Sequence, residues 1–397
     1  MNDDVSRRAL LGLGLAAASA GFMPAKAAPA RQQARDKVGF AVVGLGKLSL
    51  GQILPGFRNC KSAELTALVS GDPQKAAKLA AEQHLPTEST YTYANFGRIV
   101  ADPRIEVVYI VLPNFLHAEY TIRALNAGKH VLCEKPMATT VADAEAMIAA
   151  AKTANRKLMI AYRCHYEPLN LAAMRRLRSG SLGKPRLVIT NMGRQSDLAE
   201  PSDAWRLDMA KSGGGALTDM GIYGINASRY LLAEEPIEVR AWAQTNRNDP
   251  RFRTTEDLIS WQFRFPSGAL SSGSTSFSYA GTMDWEVLAE NGKMTASPGA
   301  FYSGNRLTVS GVPDEQPKIV EIDQFAREMD WMADVVRGRA PMVSPGEEGL
   351  QDMRLMNAIL TSVANGGKTV RTDWGYRRAV DPAGVVKLHS TRQVKNL

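Results

Sequence analysis

A glycine-rich turn is the first feature of the chain that could bind a ligand. It follows the unbroken apolar run at residues 38–43 and consists of Gly44, Leu45, Gly46, Lys47 and Leu48. Gly44 permits a tight turn, and Gly46 lets the backbone approach a pyrophosphate at the N-terminus of the next helix. Ser49 stands at the third glycine position of the dinucleotide fingerprint. Because strand, turn and helix come in order, we expect residues 44–48 to contact a dinucleotide.

The end of the second predicted strand indicates which dinucleotide is bound. An NAD enzyme usually places Asp or Glu there, against the ribose 2'-hydroxyl, whereas this strand ends in Ser70 and Gly71. A hydroxyl and a backbone amide can donate hydrogen bonds to a 2'-phosphate, and Lys75 supplies positive charge one helical turn later. The sequence therefore favours NADP. The alternative is NAD, since a register change of one residue would bring Asp72 to the ribose.

Two further strand ends carry side chains to the same edge of the predicted sheet. The fourth strand is followed by Leu112, by Asn114 and, opening the next helix, by His117. The fifth ends in Glu134 and Lys135. Dinucleotides bind at the carboxyl edge of such sheets, so we expect all five residues to contact the cofactor. A lysine on the protein surface is the alternative interpretation of Lys135, but its place between a carboxylate and a proline favours a functional role.

A second pair of polar residues is spaced for one face of a helix. Asp219 and Tyr223 are four residues apart within a helix predicted over residues 216–232. Both side chains therefore lie on the same side of that helix. The alternative interpretation of Tyr223 is a core aromatic residue with a satisfied hydroxyl.

Alternating strand and helix signals predict an α/β domain, with the Rossmann type of nucleotide-binding fold, over residues 37–162. Strands are expected at residues 38–43, 64–69, 107–112, 129–133 and 157–161. Helices are expected at residues 74–83, 118–127 and 141–154.

Residues 163–397 are predicted to form an α+β domain with a large, mostly antiparallel, open-faced sheet. Helices at 168–179 and 216–232 precede strands at 239–243, 258–265 and 270–278, and helices at 324–337 and 347–364 close the fold. Alternation along these strands places five aromatic residues on the outer face: Trp242, Trp261, Phe263, Phe265 and Phe277. Because such a face needs a partner, we expect a homodimer through it.

Composition and charge argue against several partners. With 397 residues, of which 45% are hydrophobic, the chain can bury two cores. Its net charge of +8 is spread along the sequence, which favours anionic small molecules over nucleic acid or a polybasic membrane patch. Three cysteines without paired spacing indicate buried thiols, with no disulfide framework and no metal site: Cys60, Cys133 and Cys164.

Residues 1–27 are predicted to be a signal peptide. Arg7 and Arg8 precede an apolar run at residues 9–20, and a small-x-small cleavage site follows at residues 25–27. The surrounding residues resemble the twin-arginine export motif. We expect cleavage before Ala28, a short arm at residues 28–36, and a periplasmic protein with no membrane anchor. The alternative is an ordinary basic N-terminus.

Motifs spread along the chain resemble those of a known family, the glucose-fructose oxidoreductases, inositol dehydrogenases and rhizopine-catabolism dehydrogenases. Glu134-Lys135-Pro136 is the signature of that family. The resemblance covers residues 37–376 and is greatest to the glucose-fructose and aldose-aldose oxidoreductases. Other matching motifs lie at residues 43–47, 112–114, 130–137, 162–166, 205–206, 219–223 and 344–349.

The resemblance implies roles for individual residues. Tyr223, where many relatives have His, would exchange a proton with the C1 hydroxyl of a sugar, and the Lys135 ammonium would favour its phenolate. Asp219 would orient that hydroxyl or Lys135. Arg163 would lie between cofactor and sugar with His165 nearby; a structural ion pair is the alternative for Arg163. NADP would also be contacted by Tyr93, Trp205, Arg206 and Tyr302.

The activity implied by the resemblance is oxidation of an aldose to its lactone on a tightly bound NADP. A second aldose or ketose would then be reduced to an alditol in a ping-pong cycle. The alternatives are a sugar dehydrogenase that exchanges free NADP and a non-catalytic NADP-binding sensor. Glucose-fructose enzymes have a long proline-rich arm that holds a neighbour's cofactor, whereas residues 28–36 are short, which favours a dimer over an arm-dependent tetramer.

Overall fold

The computed structural model describes residues 37–312 and 319–387. They form two β-sheets with helices packed on them, which confirms the predicted fold class. The predicted signal peptide and arm, residues 1–36, lie outside the described residues. Among the helices that are described, none has the length and apolar character needed to cross a membrane.

The first sheet consists of six parallel strands: β1 (Val38–Val43), β2 (Ala63–Val69), β3 (Thr90–Tyr91), β4 (Val107–Ile110), β5 (His130–Glu134) and β6 (Leu158–Ala161). Their order is β3-β2-β1-β4-β5-β6, so the direction of succession reverses between β1 and β4 and a crevice opens there at the carboxyl ends. Every residue of β1 is buried, as expected for a strand covered on both faces. Of the six, only the two-residue β3 was not predicted.

Four helices connect these strands: α1 (Leu54–Gly56), α2 (Pro73–Glu82), α3 (His117–Asn126) and α4 (Val141–Ala154). A π-helical turn at Ser49–Ile53 precedes α1. The Asp72 side chain caps α2, and the Thr140 side chain caps α4 by accepting from the backbone N–H of Asp143. The three longer helices were predicted to within about one residue at each end.

The second sheet has eight strands: β7 (Pro185–Gly193), β8 (Glu238–Gln244), β9 (Leu258–Arg264), β10 (Leu270–Ser276), β11 (Thr282–Ala289), β12 (Lys293–Ala296), β13 (Leu307–Ser310) and β14 (Val370–Arg371). Their order is β13-β12-β11-β7-β10-β9-β8-β14. Neighbouring strands are antiparallel except β7 and β10, which confirms a mostly antiparallel sheet. Strand β7 lies at the centre of this sheet but was not predicted.

Seven helices belong to the second half of the chain: α5 (Pro168–Ser179), α6 (Pro201–Ala204), α7 (Met209–Ser212), α8 (Ile222–Leu232), α9 (Gln324–Val336), α10 (Gly346–Ala364) and α11 (Pro382–Val385). Helix α8 packs on β7 and α10 packs on β8. Helix α10 also contacts α4 and β6, and α9 contacts β2. Helix α10 therefore joins the second sheet to the first, whereas α9 packs on the first.

The outer face of the second sheet corrects one prediction. Trp261, Phe263, Phe265 and Phe277 are buried in the core, and only Trp242, which is 52% exposed, faces outward. The alternation along β9 was assigned to the wrong face because the sequence alone does not show where the covering helices lie. Large aromatic side chains are stabilised most where α8 and α10 remove them from water, so they occupy the inner face.

The carboxylate of Asp330 ties α9 to the start of β2. Its Oδ1 accepts hydrogen bonds from the backbone N–H groups of Lys61, Ser62 and Ala63 at 2.9, 2.7 and 3.0 Å. The side chain is buried, with 5% of the residue exposed. Three backbone donors thus depend on one side chain from a distant part of the chain.

We predict that Asp330→Ala lowers the free energy of unfolding by roughly 2 to 4 kcal/mol, because buried N–H groups lose a charged acceptor. Chemical denaturation would measure this loss, provided that the slope of the free energy of unfolding against denaturant concentration is the same in variant and wild type. Asp334→Ala is the control: one helical turn away, its half-buried carboxylate pairs with Arg339 and should contribute less than about 1 kcal/mol. Equal losses in both variants would contradict the anchoring role of Asp330.

Candidate active site

The carboxyl edge of the first sheet opens into a cleft of about 460 Å³, which adjoins a second cavity of about 650 Å³. We call these the inner cleft and the outer cavity. The inner cleft brings together most of the residues predicted from sequence to bind a dinucleotide. They are Gly44, Leu45, Gly46, Lys47, Leu48, Tyr93, Leu112, Asn114, His117, Glu134, Lys135, Arg163, Trp205, Arg206 and Tyr302.

The glycine turn has the shape that a pyrophosphate requires. Gly44 has a φ of +95°, and a Cβ there would lie 2.3 Å from the carbonyl oxygen of Val111. A Cβ on Gly46 would meet no atom within 4 Å, so its backbone stays open to a ligand. Ser49, at the third glycine position, donates from Oγ to the carbonyl oxygen of Gly44 and so fixes the turn. These residues fit a dinucleotide.

The residues predicted to select NADP, Ser70, Gly71 and Lys75, line neither the inner cleft nor the outer cavity. Ser70 Oγ accepts from the backbone N–H of Asp72 at 3.1 Å, which leaves its own O–H free to donate to a phosphate. Asp72 itself accepts from the backbone N–H of Lys75 at 3.0 Å. Asp72, the acid nearest to the end of β2, is therefore already engaged as the N-terminal cap of α2. Gly71 lies against the ring of Tyr93, and Lys75 is exposed.

Lys135, Asp219 and Tyr223 meet where the inner cleft joins the outer cavity. The Nζ of Lys135 donates to the Asp219 carbonyl oxygen at 2.8 Å and lies 3.5 Å from Asp219 Oδ1. The same ammonium is 4.7 Å from the centroid of the Tyr223 ring. The helix predicted over residues 216–232 is present as one continuous helical segment, but its first turn, Leu217–Gly221, is π-helical. Turns of this kind are frequent at functional sites.

Asp219 is surrounded by positive charge. Its Oδ2 accepts from Arg206 Nε at 3.0 Å and lies 3.6 Å from Arg194 Nη2, while Lys135 approaches Oδ1. Burial acts to raise the pKa of this carboxyl, but the charges of Arg206, Lys135 and Arg194 outweigh it and hold the pKa well below its usual range. Asp219 therefore stays ionised and keeps Lys135 in place.

Arg163 is buried between two tyrosines. Its guanidinium carbon is 4.8 Å from the Tyr223 ring centroid and 4.7 Å from that of Tyr302. It donates to the carbonyl oxygens of Ala300 and Phe301 at 2.6 and 3.2 Å and to Gln324 Oε1 at 2.7 Å. Its Nε also donates to Tyr223 Oη at 3.2 Å. Arg163 therefore orients the Tyr223 hydroxyl, and among the described residues no carboxylate lies within ion-pair distance of it.

The pKa of Tyr223 differs from what the sequence implied. Burial raises it well above the usual value, and the nearest opposing charge is Arg163, which contacts the hydroxyl. Lys135 lies over the face of the ring instead. At neutral pH Tyr223 is therefore protonated, and it needs a proton acceptor before it can act as a base.

Two histidines occupy different environments. His117 lines the inner cleft with its ring nitrogens 2.8 Å from the carbonyl oxygens of Leu112 and Pro136, so it ties two strand ends together. His165 lines neither the inner cleft nor the outer cavity: its Nε2 lies 2.9 Å from Asn226 Oδ1 in the interior. Burial, then the charge of Arg378, lower the pKa of His165 to about 3, so it is neutral.

Apart from Arg206, sequence reasoning missed the residues between β7 and α7 that line the outer cavity. Arg194 is held by Asp203 through contacts of 2.9 and 2.6 Å and faces Asp219. Lys47 and Glu200 form an ion pair that links the glycine turn to the N-terminal cap of α6. Apart from the four-residue helix α6, this stretch is irregular, so no strand-like or helix-like alternation of side chains marked its residues as candidates. Asn114, which was predicted, donates to the Ser212 carbonyl oxygen at 2.8 Å.

Comparison with known proteins places this geometry in a family. Residues 38–162 match the profile of the oxidoreductase family with an NAD-binding Rossmann fold, and residues 170–295 match its GFO/IDH/MocA C-terminal domain. A D-xylose 1-dehydrogenase [NADP(+)] of Haloarcula marismortui is 33% identical over 86% of this chain and 95% of its own length. The D-xylose 1-dehydrogenase (NADP(+)) 2 of Haloferax volcanii is 27% identical over 82% of this chain and 98% of its own.

A solved structure is also similar along its whole length. The aldose-aldose oxidoreductase of Caulobacter crescentus, complexed with glycerol, is 40% identical with a TM-score of 0.78, over 84% of this chain and 99% of its own. Profile, sequence and structure agree with the turn, the cleft and the Glu134-Lys135-Pro136 signature. The chain belongs to the GFO/IDH/MocA oxidoreductase family, whose N-terminal domain is an NAD-binding Rossmann fold.

Proposed function

We propose that this protein oxidises the C1 hydroxyl of an aldose to a lactone with NADP. The observation that carries the proposal is the meeting of Tyr223, Lys135 and Asp219 at the junction of the inner cleft and the outer cavity. A cofactor in the first and a sugar in the second would both reach these side chains. The names of the Haloarcula and Caulobacter relatives support an NADP-linked reaction on an aldose.

The chain's own residues would handle the proton of this reaction. NADP supplies the hydride acceptor when bound. Tyr223 exchanges a proton with the sugar oxygen, and Arg163, hydrogen-bonded to its Oη, favours the phenolate. Lys135, held by Asp219, adds a second positive charge against the ring. A sensor that only binds NADP would have no use for this arrangement.

We further propose that the NADP stays bound and is recycled by a second sugar, an aldose or a ketose, which is reduced to an alditol. Contacts for retention come from the glycine turn, from Ser70 and Lys75, and from Tyr93, Trp205 and Arg206. The predicted twin-arginine signal supports the idea, because that route exports folded proteins and free NADP is not expected in the periplasm. The second candidate is a dehydrogenase that exchanges NADP; the short arm at residues 28–36 favours it.

A homodimer through the outer face of the second sheet is also proposed. Leu187 of β7 pairs with Leu288 of β11 on one side and with Leu270 of β10 on the other. These three leucines therefore form one row on the outer face of the sheet. Leu270 is 46% exposed and Trp242 on the same face is 52% exposed. Burial of this row would be favourable.

The retention proposal is tested by denaturing exhaustively dialysed protein and measuring the NADP(H) released. We expect about one cofactor per chain, and sugar-to-sugar turnover without added cofactor. Protein that is free of cofactor and works only when NADP is supplied would contradict retention and favour the exchanging dehydrogenase.

Tyr223→Phe should retain NADP but lose turnover on the order of 10²-fold or more, because a general acid/base is removed. The raised pKa of Tyr223 also predicts that the wild-type rate of sugar oxidation rises with pH into the alkaline range, since the base form is populated there. Steady-state kinetics across pH would measure both the loss in the variant and the alkaline rise in the wild type.

A wild-type rate of sugar oxidation in Tyr223→Phe would rule out the role of Tyr223 as general acid/base.

Ser70→Asp should move the cofactor preference from NADP toward NAD, because a carboxylate beside the 2'-phosphate is repulsive. Binding of both dinucleotides, measured by tryptophan fluorescence or calorimetry, would check it. Asp72→Asn serves as the control, since that side chain is engaged in capping α2 and should leave the preference unchanged. If the wild type already prefers NAD, the interpretation of this strand end is wrong.

A further inference from the structure

One segment from the second half of the chain lies along the carboxyl edge of the first sheet. It comprises residues 194–212, from the residue after β7 to the end of α7, and we call it the strap. Together with the glycine turn, five residues of the strap line the inner cleft: Glu200, Pro201, Ser202, Trp205 and Arg206. A dinucleotide in the inner cleft would therefore contact the strap as well as the glycine turn.

The strap is held together by its own side chains. The Asp203 carboxylate accepts from Arg194 Nη1 and Nη2 at 2.9 and 2.6 Å, and its Oδ2 also accepts from the backbone N–H of Asp197 at 3.0 Å. Arg206 Nη1 donates to the Ser202 carbonyl oxygen. Asp203 is buried, so water does not compete for these bonds. This part of the strap is therefore one compact unit.

The end of the strap at α7 is attached to the first half of the chain by buried contacts. The Ser212 carbonyl oxygen accepts from Asn114 Nδ2 at 2.8 Å, in the loop after β4. The next residue, Gly213, packs closely on the loop between β5 and α4. A Cβ on Gly213 would lie 3.0 Å from both the Cα atom and the carbonyl oxygen of Thr139. This end of the strap is therefore fixed at the carboxyl edge of the first sheet.

At α6 the strap meets the glycine turn through an exposed ion pair. Lys47 Nζ and Glu200 Oε2 are 2.5 Å apart, and their side chains are 71% and 32% exposed. Glu200 Oε1 accepts from the backbone N–H and the hydroxyl of Ser202 at 3.3 and 3.1 Å. The Glu200 carboxylate is therefore held at the start of α6 by one oxygen and bound to the glycine turn by the other.

The charge of Glu200 works against the binding of a dinucleotide. A pyrophosphate at the glycine turn is negatively charged, and a carboxylate that lines the same cleft repels it. Asp219, which also lines the cleft, is surrounded by Lys135, Arg206 and Arg194 at the catalytic centre. Glu200 has no such role there. Its contact with Lys47 must therefore contribute something that outweighs the repulsion.

We propose that Glu200 holds the strap closed over the bound dinucleotide through its ion pair with Lys47, and so slows release of the cofactor. Opening separates Glu200 from Lys47, while the other end of the strap stays attached at Asn114 and Thr139. The inference rests on the proposed function, because it needs NADP in the inner cleft. It adds to cofactor retention a contact between two parts of the protein itself.

The test is Glu200→Gln, which removes the charge and leaves a side-chain oxygen for Ser202. If Glu200 only repels the phosphates, the variant should release NADPH more slowly than wild type. If Glu200 closes the strap, loss of the ion pair should raise the rate of NADPH release about 2- to 5-fold, the factor that one partly exposed ion pair contributes.

Release is measured by mixing NADPH-loaded protein with excess NADP and following the loss of NADPH fluorescence, by stopped flow or over hours as the rate requires. Wild-type protein that binds no NADPH contradicts the proposed function. Wild-type protein that binds NADPH, with release that is equal or slower in Glu200→Gln, overturns the role of Glu200 alone.

Asp208→Asn is the matched control. Asp208 also caps a helix of the strap, α7, and also forms an ion pair, with Lys211 at 3.0 Å, but this pair lies within the strap. Asp208 lines neither the inner cleft nor the outer cavity. Because the amide oxygen keeps the cap, NADPH release should match wild type. Equal acceleration in both variants would mean that any lost charge loosens the strap, which overturns the specific role of Glu200.

Ionic strength gives a readout that a change in packing would not move. Salt screens an exposed ion pair, so the ratio of the release rates of Glu200→Gln and wild type should fall toward one as salt is raised to about 1 M. The ratio cancels the screening of contacts to the phosphates, which both proteins share. A ratio that does not change with salt would overturn the ion pair as the contact that closes the strap.

Discussion

The site depends on the hydrogen bonds that hold the buried guanidinium group of Arg163. Arg163 lies among the carbonyl oxygens of Ala300 and Phe301, the side-chain amide oxygen of Gln324 and the phenol of Tyr223. Removing an ion from water costs several kcal/mol unless hydrogen bonds replace its hydration. The loop at residues 300–303, the start of α9 and the first turn of α8 must therefore all reach this one side chain. Their meeting forms the wall shared by the inner cleft and the outer cavity.

The first sheet and most of the cofactor-binding residues could be predicted from sequence. Parallel strands buried on both faces appear as short apolar runs, and the carboxyl ends of such strands share one edge. Knowing that Gly44, Asn114 and Lys135 follow strands was enough to bring them together. The i, i+4 spacing likewise put Asp219 and Tyr223 on one side of a helix, although the π-helical turn at Asp219 leaves no trace in the residue pattern.

The rest depends on contacts between distant segments. Arg194 directly follows β7 and Asp203 lies in the four-residue helix α6, which is too short for a periodicity that would show which side chains turn inward. The aromatic residues of β9 were placed on the wrong face because alternation gives two faces and only packing against α8 and α10 distinguishes them. His165 follows a strand as Lys135 does, yet it points into the interior, where Asn226 binds it. Position at a strand end therefore indicates proximity to the cleft but not the direction of the side chain.

Helix α9 has a consequence for how the chain folds during synthesis. Gln324 near its start holds the loop of the outer cavity, and Asp330, less than two turns later, accepts from the backbone at the start of β2. Asp330 and Ser62 are 268 residues apart in sequence. A nascent chain therefore cannot satisfy those N–H groups until nearly the whole protein has left the ribosome. The nucleotide-binding half, although first in sequence, should reach its final structure only together with the second half, so an excised N-terminal half would be a poor substitute for the intact protein.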